Sequence, residues 1–202
     1  MIYTIDDKII ANVAKRGRGA VLFPNEFSSI GNAKAVAKAL ERLVNDRTLI
    51  RLARGIYYYP KVDKELGLGV LYPSYEDIAQ RIAQREKTKI APSGAYAMNM
   101  LGLTTQVPMN IVFLTDGNAR KIKLQNGHAI VFKHAVPKNF AFQNKTIQLI
   151  TTALKAIGKN NVTNEHVSIL KKVLANIPKE KAIRDYKLIP VWIQTLMDKM
   201  YA

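Results

Sequence analysis

The sequence predicts an α+β protein in two parts: a small N-terminal domain of helices closed by a β-hairpin, then a mixed α/β domain ending in a helical C-terminal segment. Three observations carry this. The stretch GNAKAVAKALERLVNDRTLIRLARGIYYYPK (Gly31–Lys61) changes from a helical period to a strand, a glycine turn and a second strand. The next stretch, PKVDKELGLGVLYP (Pro60–Pro73), holds two prolines and two glycines with no sustained period and reads as a connector. After Pro137 the apolar spacing stays helical to the end. The expected layout is a first domain over 1–60, a linker over 61–73 and a second domain over 74–202, with a small sheet at 110–134 and helices at 146–202.

A chain of 202 residues, 48% of them hydrophobic, can bury a real core. Its 31 Lys and Arg against 15 Asp and Glu leave a net charge of +16, which favours a polyanionic partner, most simply nucleic acid. The surplus does not single out one region. There are 10 basic against 5 acidic residues up to Pro60, 12 against 6 over 61–145, and 9 against 4 beyond. The absence of cysteine excludes disulfides, thiolate metal sites and cysteine nucleophiles. The N-terminal MIYTIDDKII carries acids where a secretory signal carries lysines, and no apolar run approaches the roughly 20 residues that cross a bilayer. The expectation is a soluble cytoplasmic protein without a membrane partner.

In chain order, Thr4–Arg16 reads as the first helix. Thr4 and Asp7 have capping-box spacing, Ile5, Ile9, Ile10 and Val13 form the buried stripe, and Gly17 supplies the stop. Ala20–Phe23 is β-prone and suits a third strand beside the hairpin. Pro24 ends it, and Asn25 is read as the cap of a short helix over Glu26–Ile30. Asn32 then caps a helix to about Asp46 whose Val36, Leu40, Leu43 and Val44 share one face. Lys34, Lys38, Glu41, Arg42 and Asn45 share the other. Strands over Leu49–Leu52 and Ile56–Tyr59 flank Ala53-Arg54-Gly55. Tyr57, Tyr58 and Tyr59 read as strand packing, since neighbouring strand residues alternate faces.

This order of helix, short strand, short helix, glycine, helix and hairpin is that of a winged helix-turn-helix, which lays the second helix of the pair in the DNA major groove and its wing on the flanking backbone or minor groove. The candidate DNA-binding residues are Asn32, Lys34, Lys38, Arg42, Arg51 and Arg54. Glu41 on the same face is a mild objection, because a carboxylate repels phosphate.

In the second part, Ser74 and Asp77 start a short amphipathic helix carrying Ile78, Ala79 and Ile82 to about Lys87. Ser93 is placed to cap a helix of small residues that ends at Gly102. Asn110–Thr115 (NIVFLT) is continuously apolar and reads as a strand buried on both faces. For the hairpin at Asn126-Gly127, a two-residue loop mixes apolar and polar faces. A three-residue loop ending in a left-handed Gly127 aligns Ile122 with Ile130 and separates them. Helices then run over Thr146–Ile157 and Val162–Ile177, followed by a last segment divided or kinked at Pro190, with Trp192 expected in the core.

The pairing of RLARGIYYYPK (Arg51–Lys61) with APSGAYAMNMLGLTTQVP (Ala91–Pro108) and VFLTDG (Val112–Gly117) resembles the AbiEi family, antitoxins of type IV abortive-infection toxin–antitoxin systems. The likeness runs from about Gly17 to Pro137; the last sixty or so residues match only in being helical and basic. The resemblance implies an N-terminal winged helix that represses its own operon by binding operator inverted repeats in double-stranded DNA. It also implies a C-terminal domain that counters a cognate nucleotidyltransferase toxin in phage defence, without needing a stable complex. Lys34, Lys38, Arg42, Arg51 and Arg54 are then the DNA contacts. The SGAYAMN and LTTQVP segments belong to the antitoxin domain, where Ser93, Tyr96, Asn99, Gln106, Asp116 and Arg120 are candidates without individual roles.

No Gly-rich phosphate loop, histidine pair at metal spacing or nucleophile elbow occurs, so no enzyme, catalytic residue, cofactor or metal is expected. His128, His134 and His166 lie apart. Asp116 with Arg120 and Lys121 suits a phosphate or a metal, and a turn aspartate before Gly117 explains it equally. The competing expectation is a stand-alone winged-helix regulator whose second domain senses a ligand or dimerises.

Overall fold

The computed structural model describes residues 4–202; the first three residues of the N-terminal stretch read for a leader lie outside the described residues. It is a mixed α+β chain with a helical C-terminal segment. Two compact units can be distinguished, one running to Arg81 and taking in Lys123–Gly127, the other holding Ile82–Ile122 and His128–Ala202.

The first unit begins with α1 (Ile5–Arg16), whose capping box forms as the spacing requires: the Asp7 N–H donates to Thr4 Oγ1 at 3.2 Å and the Thr4 N–H to Asp7 Oδ2 at 2.9 Å. After β1 (Val21–Leu22) the expected Asn25-capped helix is replaced by a 3₁₀ turn over Pro24–Phe27. Pro24 fits the first turn because its missing N–H has no partner to lose there. The Glu26 carboxylate, rather than Asn25, supplies the cap, accepting the Phe23 N–H at 2.9 Å. Helix α2 (Ala33–Asn45) follows, then β2 (Ile50–Ala53) and β3 (Ile56–Tyr58). The sheet order is β1-β3-β2, so Val21–Leu22 is indeed the third strand, paired antiparallel to Tyr58 and Tyr57. Ile9, Val13, Leu22, Phe27, Val36, Leu40, Leu43 and Leu49 close the core beneath it. Each such side chain contributes roughly 1.5–3 kcal/mol on burial.

Residues 61–73, read as an irregular connector, form a ribbon of β4 (Lys61–Asp63) and β5 (Gly69–Leu71). Gly67 and Gly69 both take positive φ, which lets so short a segment reverse. The Tyr58 hydroxyl donates to the Leu71 carbonyl and fixes the ribbon's base. Helix α3 (Tyr75–Glu86) starts from the Ser74/Asp77 box.

The second unit holds β6 (Ile90–Pro92), α4 (Gly94–Met100), β7 (Asn110–Thr115), β8 (Arg120–Lys123) and β9 (Ala129–His134), in a sheet ordered β6-β7-β9-β8. β7 pairs antiparallel with β6 and parallel with β9, Ile111 lying beside Ile130 and Phe113 beside Phe132. The expectation that β7 is buried on both faces is corrected: Ile111, Phe113 and Thr115 are buried, whereas Val112 and Leu114 are only partly covered. Gly127 is left-handed (φ +86°) and its N–H donates to the Leu124 carbonyl at 3.3 Å, as a three-residue hairpin loop requires.

Helices α5 (Lys145–Ile157), α6 (Asn164–Leu174), α7 (Lys179–Ile183) and α8 (Val191–Tyr201) complete the chain, with Pro190 dividing the last segment. Their core gathers Ile147, Ile150, Leu154, Leu170, Ile193 and Met197 around Ala97 of α4, and Trp192 is half-buried at its margin. Buried Asp185 ties the entry of α5 to the end of α7, accepting the Gln143 and Asn144 N–H groups, each at 2.9 Å.

At the turn after β7, a Cβ on Gly117 would lie 2.5 Å from Thr88 Cγ2. Gly117→Ala should therefore lower stability by about 1–3 kcal/mol in chemical denaturation, and Thr88→Ser in the same chain should recover most of that loss. Equal stabilities of Gly117→Ala and the parent would show that the turn is looser than described.

Candidate nucleic-acid interface

Helix α2 owes its position to a cap and one apolar face. Asn32 Oδ1 accepts the Ala35 N–H at 2.9 Å, while Val36, Ala39, Leu40 and Leu43 are buried. Lys34, Ala37, Lys38, Glu41 and Arg42 are left on the exposed side. Lys34 and Lys38 are one helical turn apart and lie on one face. Neither forms an ion pair among the described residues, and no bond joins Glu41 to Lys38. The hairpin is present beside the sequence position expected for it. Ala53 pairs with Ile56, so Arg54-Gly55 is a two-residue tip, with Gly55 at φ +72°. Arg54 is exposed there, and Arg51 is exposed on β2 opposite Tyr57.

Two of the six candidates are already engaged. The Asn32 amide oxygen is spent on the cap. The Arg42 guanidinium makes a two-pronged bond to Asp6 of α1, Nε to Oδ2 at 2.8 Å and Nη2 to Oδ1 at 2.6 Å. Lys34, Lys38, Arg51 and Arg54 are the cations left to face a polyanion. Tyr57 and Tyr58 are buried as strand packing, and Tyr59 is half-buried under the Arg18 guanidinium, 4.8 Å from its ring centre. The three do not form an exposed stacking surface.

Arg51 also borders a cleft of about 490 Å³ in the same unit, with Tyr72, Tyr75 and Asn126. The Gln125 N–H donates to the Leu52 carbonyl at 2.9 Å, so that part of the β2 edge is paired. Behind α2, the Glu26 carboxylate receives Arg16 at 3.0 Å, Arg81 and the Phe23 N–H together. Nothing in the sequence marks this cluster, because Arg81 lies 55 positions from Glu26.

The candidates in the second unit do not share one task. Ser93 stands at the start of α4 without making the expected cap bond; its N–H instead donates to the Val112 carbonyl at 2.9 Å. Tyr96 is buried edge-on to Phe113, 5.4 Å between ring centres. Asn99 Nδ2 donates to the Thr104 carbonyl at 3.3 Å, and the exposed Gln106 has its N–H on Thr104 Oγ1 at 3.2 Å. Asp116 accepts the Lys89 N–H at 2.7 Å, 27 positions away, and the side chain that holds the turn is instead Thr115, whose Oγ1 accepts the Gly117 N–H at 3.0 Å. Arg120 is ion-paired to Glu86 and lies over the Phe132 ring at 5.2 Å. Asp116 and Arg120 are thus committed to different partners. His134 Nδ1 contacts the Gly117 carbonyl at 3.1 Å, while His166 closes a capping box with Thr163. Among the described residues, no helix is long and apolar enough to cross a membrane.

The hydrogen-bonded Arg42 holds the Asp6 carboxyl below its ordinary range. A depressed folded-state pKa stabilises the fold fully above the unfolded value, about 3.9, and is lost as the pH falls through the lower folded one. Below about pH 4 the Asp6→Asn chain should therefore lose stability less steeply with acid than the parent. Superimposable acid-unfolding curves would mean that the pair adds nothing.

No curated protein matches the chain. The crystal structure of the RV2827C protein from Mycobacterium tuberculosis is similar to it, with a TM-score of 0.53 and 15% sequence identity over 99% of this chain and 77% of that one. At that identity the likeness shows the fold alone. Residues 8–182 match the model of a family of unknown function, DUF6088, and the chain belongs to that family.

Proposed function

We propose that this protein is an AbiEi-like antitoxin of a type IV toxin–antitoxin system. Its N-terminal region acts as a winged helix-turn-helix that binds operator DNA and represses its own operon, and its C-terminal region counters a cognate nucleotidyltransferase toxin in the cytoplasm without catalysis of its own. The observation that supports the DNA half is the outer face of α2. Lys34 and Lys38 lie there without ion pairs among the described residues, in a chain whose next element is a tight hairpin tipped by Arg54. Two point charges one turn apart suit phosphates, and an arginine at a hairpin tip suits a narrow groove. Arg42, held by Asp6, supports α2 first and reaches DNA only if that pair opens. The antitoxin half rests on the resemblance carried by the Arg51–Lys61, Ala91–Pro108 and Val112–Gly117 segments. The competing regulator without a toxin shares the DNA binding and lacks the rescue.

The test uses the full chain, because the first unit takes in Lys123–Gly127 and no single cut isolates either part. Lys38→Glu should abolish binding to the operator region in gel-shift assays, yet still restore growth to cells expressing the adjacent nucleotidyltransferase. Loss of both would make Lys38 a folding residue, and no rescue by the parent chain would remove the antitoxin reading. Arg54→Ala should weaken DNA binding by about 1–3 kcal/mol if the tip reads a groove. An affinity equal to the parent's would leave the arginine as a solvated turn residue.

A further inference from the structure

In the second unit, the 3₁₀ turn Pro137–Phe140, the last turn of α5 and the turn leading into α8 border a cleft of about 310 Å³. Its only charged lining residues are Lys138 and Lys155, and much of the remaining wall is apolar: Val136, Phe142, Leu188 and Ile189. Among the described residues neither lysine forms an ion pair, and no carboxylate lines the cleft. The remaining polar side chain, Asn139, donates to the Val136 carbonyl at 3.3 Å.

Two exposed lysines therefore border one cleft with no counter-charge among its lining residues. Lys155 is an exposed residue, yet its ammonium is held below the ordinary lysine value, first by lost solvation and then by the charge of Lys138. Lys155 does stand at the carbonyl end of α5, where a cation is favourable. That accounts for one lysine and not for the second beside it. Like charges gathered without a partner weaken the free protein and are relieved by an anion.

We propose that this cleft binds a small phosphate-bearing molecule, its phosphate against Lys138 and Lys155 and its apolar or aromatic body against Phe142, Leu188 and Ile189. Two cations call for a dianion. A phosphate monoester carries about −1.5 to −2 at neutral pH, whereas a carboxylate carries a single charge. The volume lies near the lower end of small-molecule sites, about 300–1,000 Å³, which suits one ring rather than a dinucleotide. The neighbouring α8 begins behind Pro190 with no side chain capping its first turn. This agrees with the sign of the site, although the lysine pair carries the argument. The proposal is independent of the DNA reading.

Phenyl phosphate is the probe, with benzoate as the singly charged control and a DNA duplex as the macromolecular source of phosphate. Calorimetric titration of the full chain should show one saturable site for phenyl phosphate and at least about tenfold weaker binding of benzoate. Lys138→Met and Lys155→Met should each weaken phenyl phosphate about tenfold. Without anion, Lys155→Met should melt at or above the parent temperature, since a repulsion is removed; added phenyl phosphate should raise the melting point of the parent and leave that of the variant unmoved. Equal binding of phenyl phosphate and benzoate, unchanged affinity in both variants, or no saturation in the millimolar range would overturn the proposal. So would melting of Lys155→Met below the parent without anion, which would make the lysine a helix-end support. Protection of the two lysines by the duplex and not by phenyl phosphate would assign their charge to nucleic acid and likewise overturn it.

Discussion

The side chain of Glu26 ties together α1, α3 and the 3₁₀ turn that precedes α2. Its carboxylate, only 17% exposed, is shared by Arg16 at the end of α1, by Arg81 on α3 and by the Phe23 N–H that opens the 3₁₀ turn. Arg81 reaches back further, donating from Nε to the Val21 carbonyl at 3.2 Å, and its guanidinium lies over the Phe23 ring. Arg16 lies over Phe27 in the same manner. Exposed ion pairs are worth little singly. Here one half-buried acid pairs with two guanidiniums and caps a turn, so its loss would take a shared partner from two cations and a backbone donor. The chain then passes through Gly31, where a Cβ would come within 3.1 Å of Ile5 Cδ1, before α2 begins. The approach of α1 to the start of α2 thus depends on what precedes it in sequence and on the absence of one methyl group.

Charge in this protein divides by residue type more than by region. Among the described residues, five of the six ion pairs use arginine and one uses lysine. Arg16, Arg42, Arg81 and Arg120 join separate elements, as a planar multi-donor group does well, and most lysines, with Arg51 and Arg54, are left to make the external field. This resolves the difficulty posed by a surplus spread evenly along the chain. A count of basic residues treats Arg42 and Lys38 alike. One is anchored to Asp6, and the other faces solvent.

What could be read from the sequence was what neighbours decide. The capping boxes at Thr4 and Ser74, the Asn32 cap, the apolar face of α2, the Gly55 and Gly127 turns and the break at Pro190 all depend on residues a few positions apart, and all are present. The failures came where distant partners decide. Asn25 loses its capping role because the turn begins one residue earlier, at Pro24, which puts Asn25 inside it. The apolar run of β7 hid a one-sided burial that only its strand neighbours reveal. β6 has no local signal, being three residues ending in Pro92 and a strand only by pairing with β7. The interface follows the same rule: Arg42 and Lys38 are alike in sequence, and Asp6, 36 positions away, engages only Arg42 in the fold. Lys138 and Lys155 gave no signal at all, since α5 and the turn before it meet only in the folded chain.

The placement of β9 between β7 and β8 bears on how the molecule assembles. The chain leaves β7, runs out to the sheet margin as β8, and doubles back to slide β9 into the gap. Until that insertion, Ile111 and Phe113 wait without Ile130 and Phe132, and one side of β7 keeps its amides open. A growing polypeptide emerging from the ribosome must therefore carry an incomplete sheet past β8, a stage at which another nascent copy could occupy the vacant position.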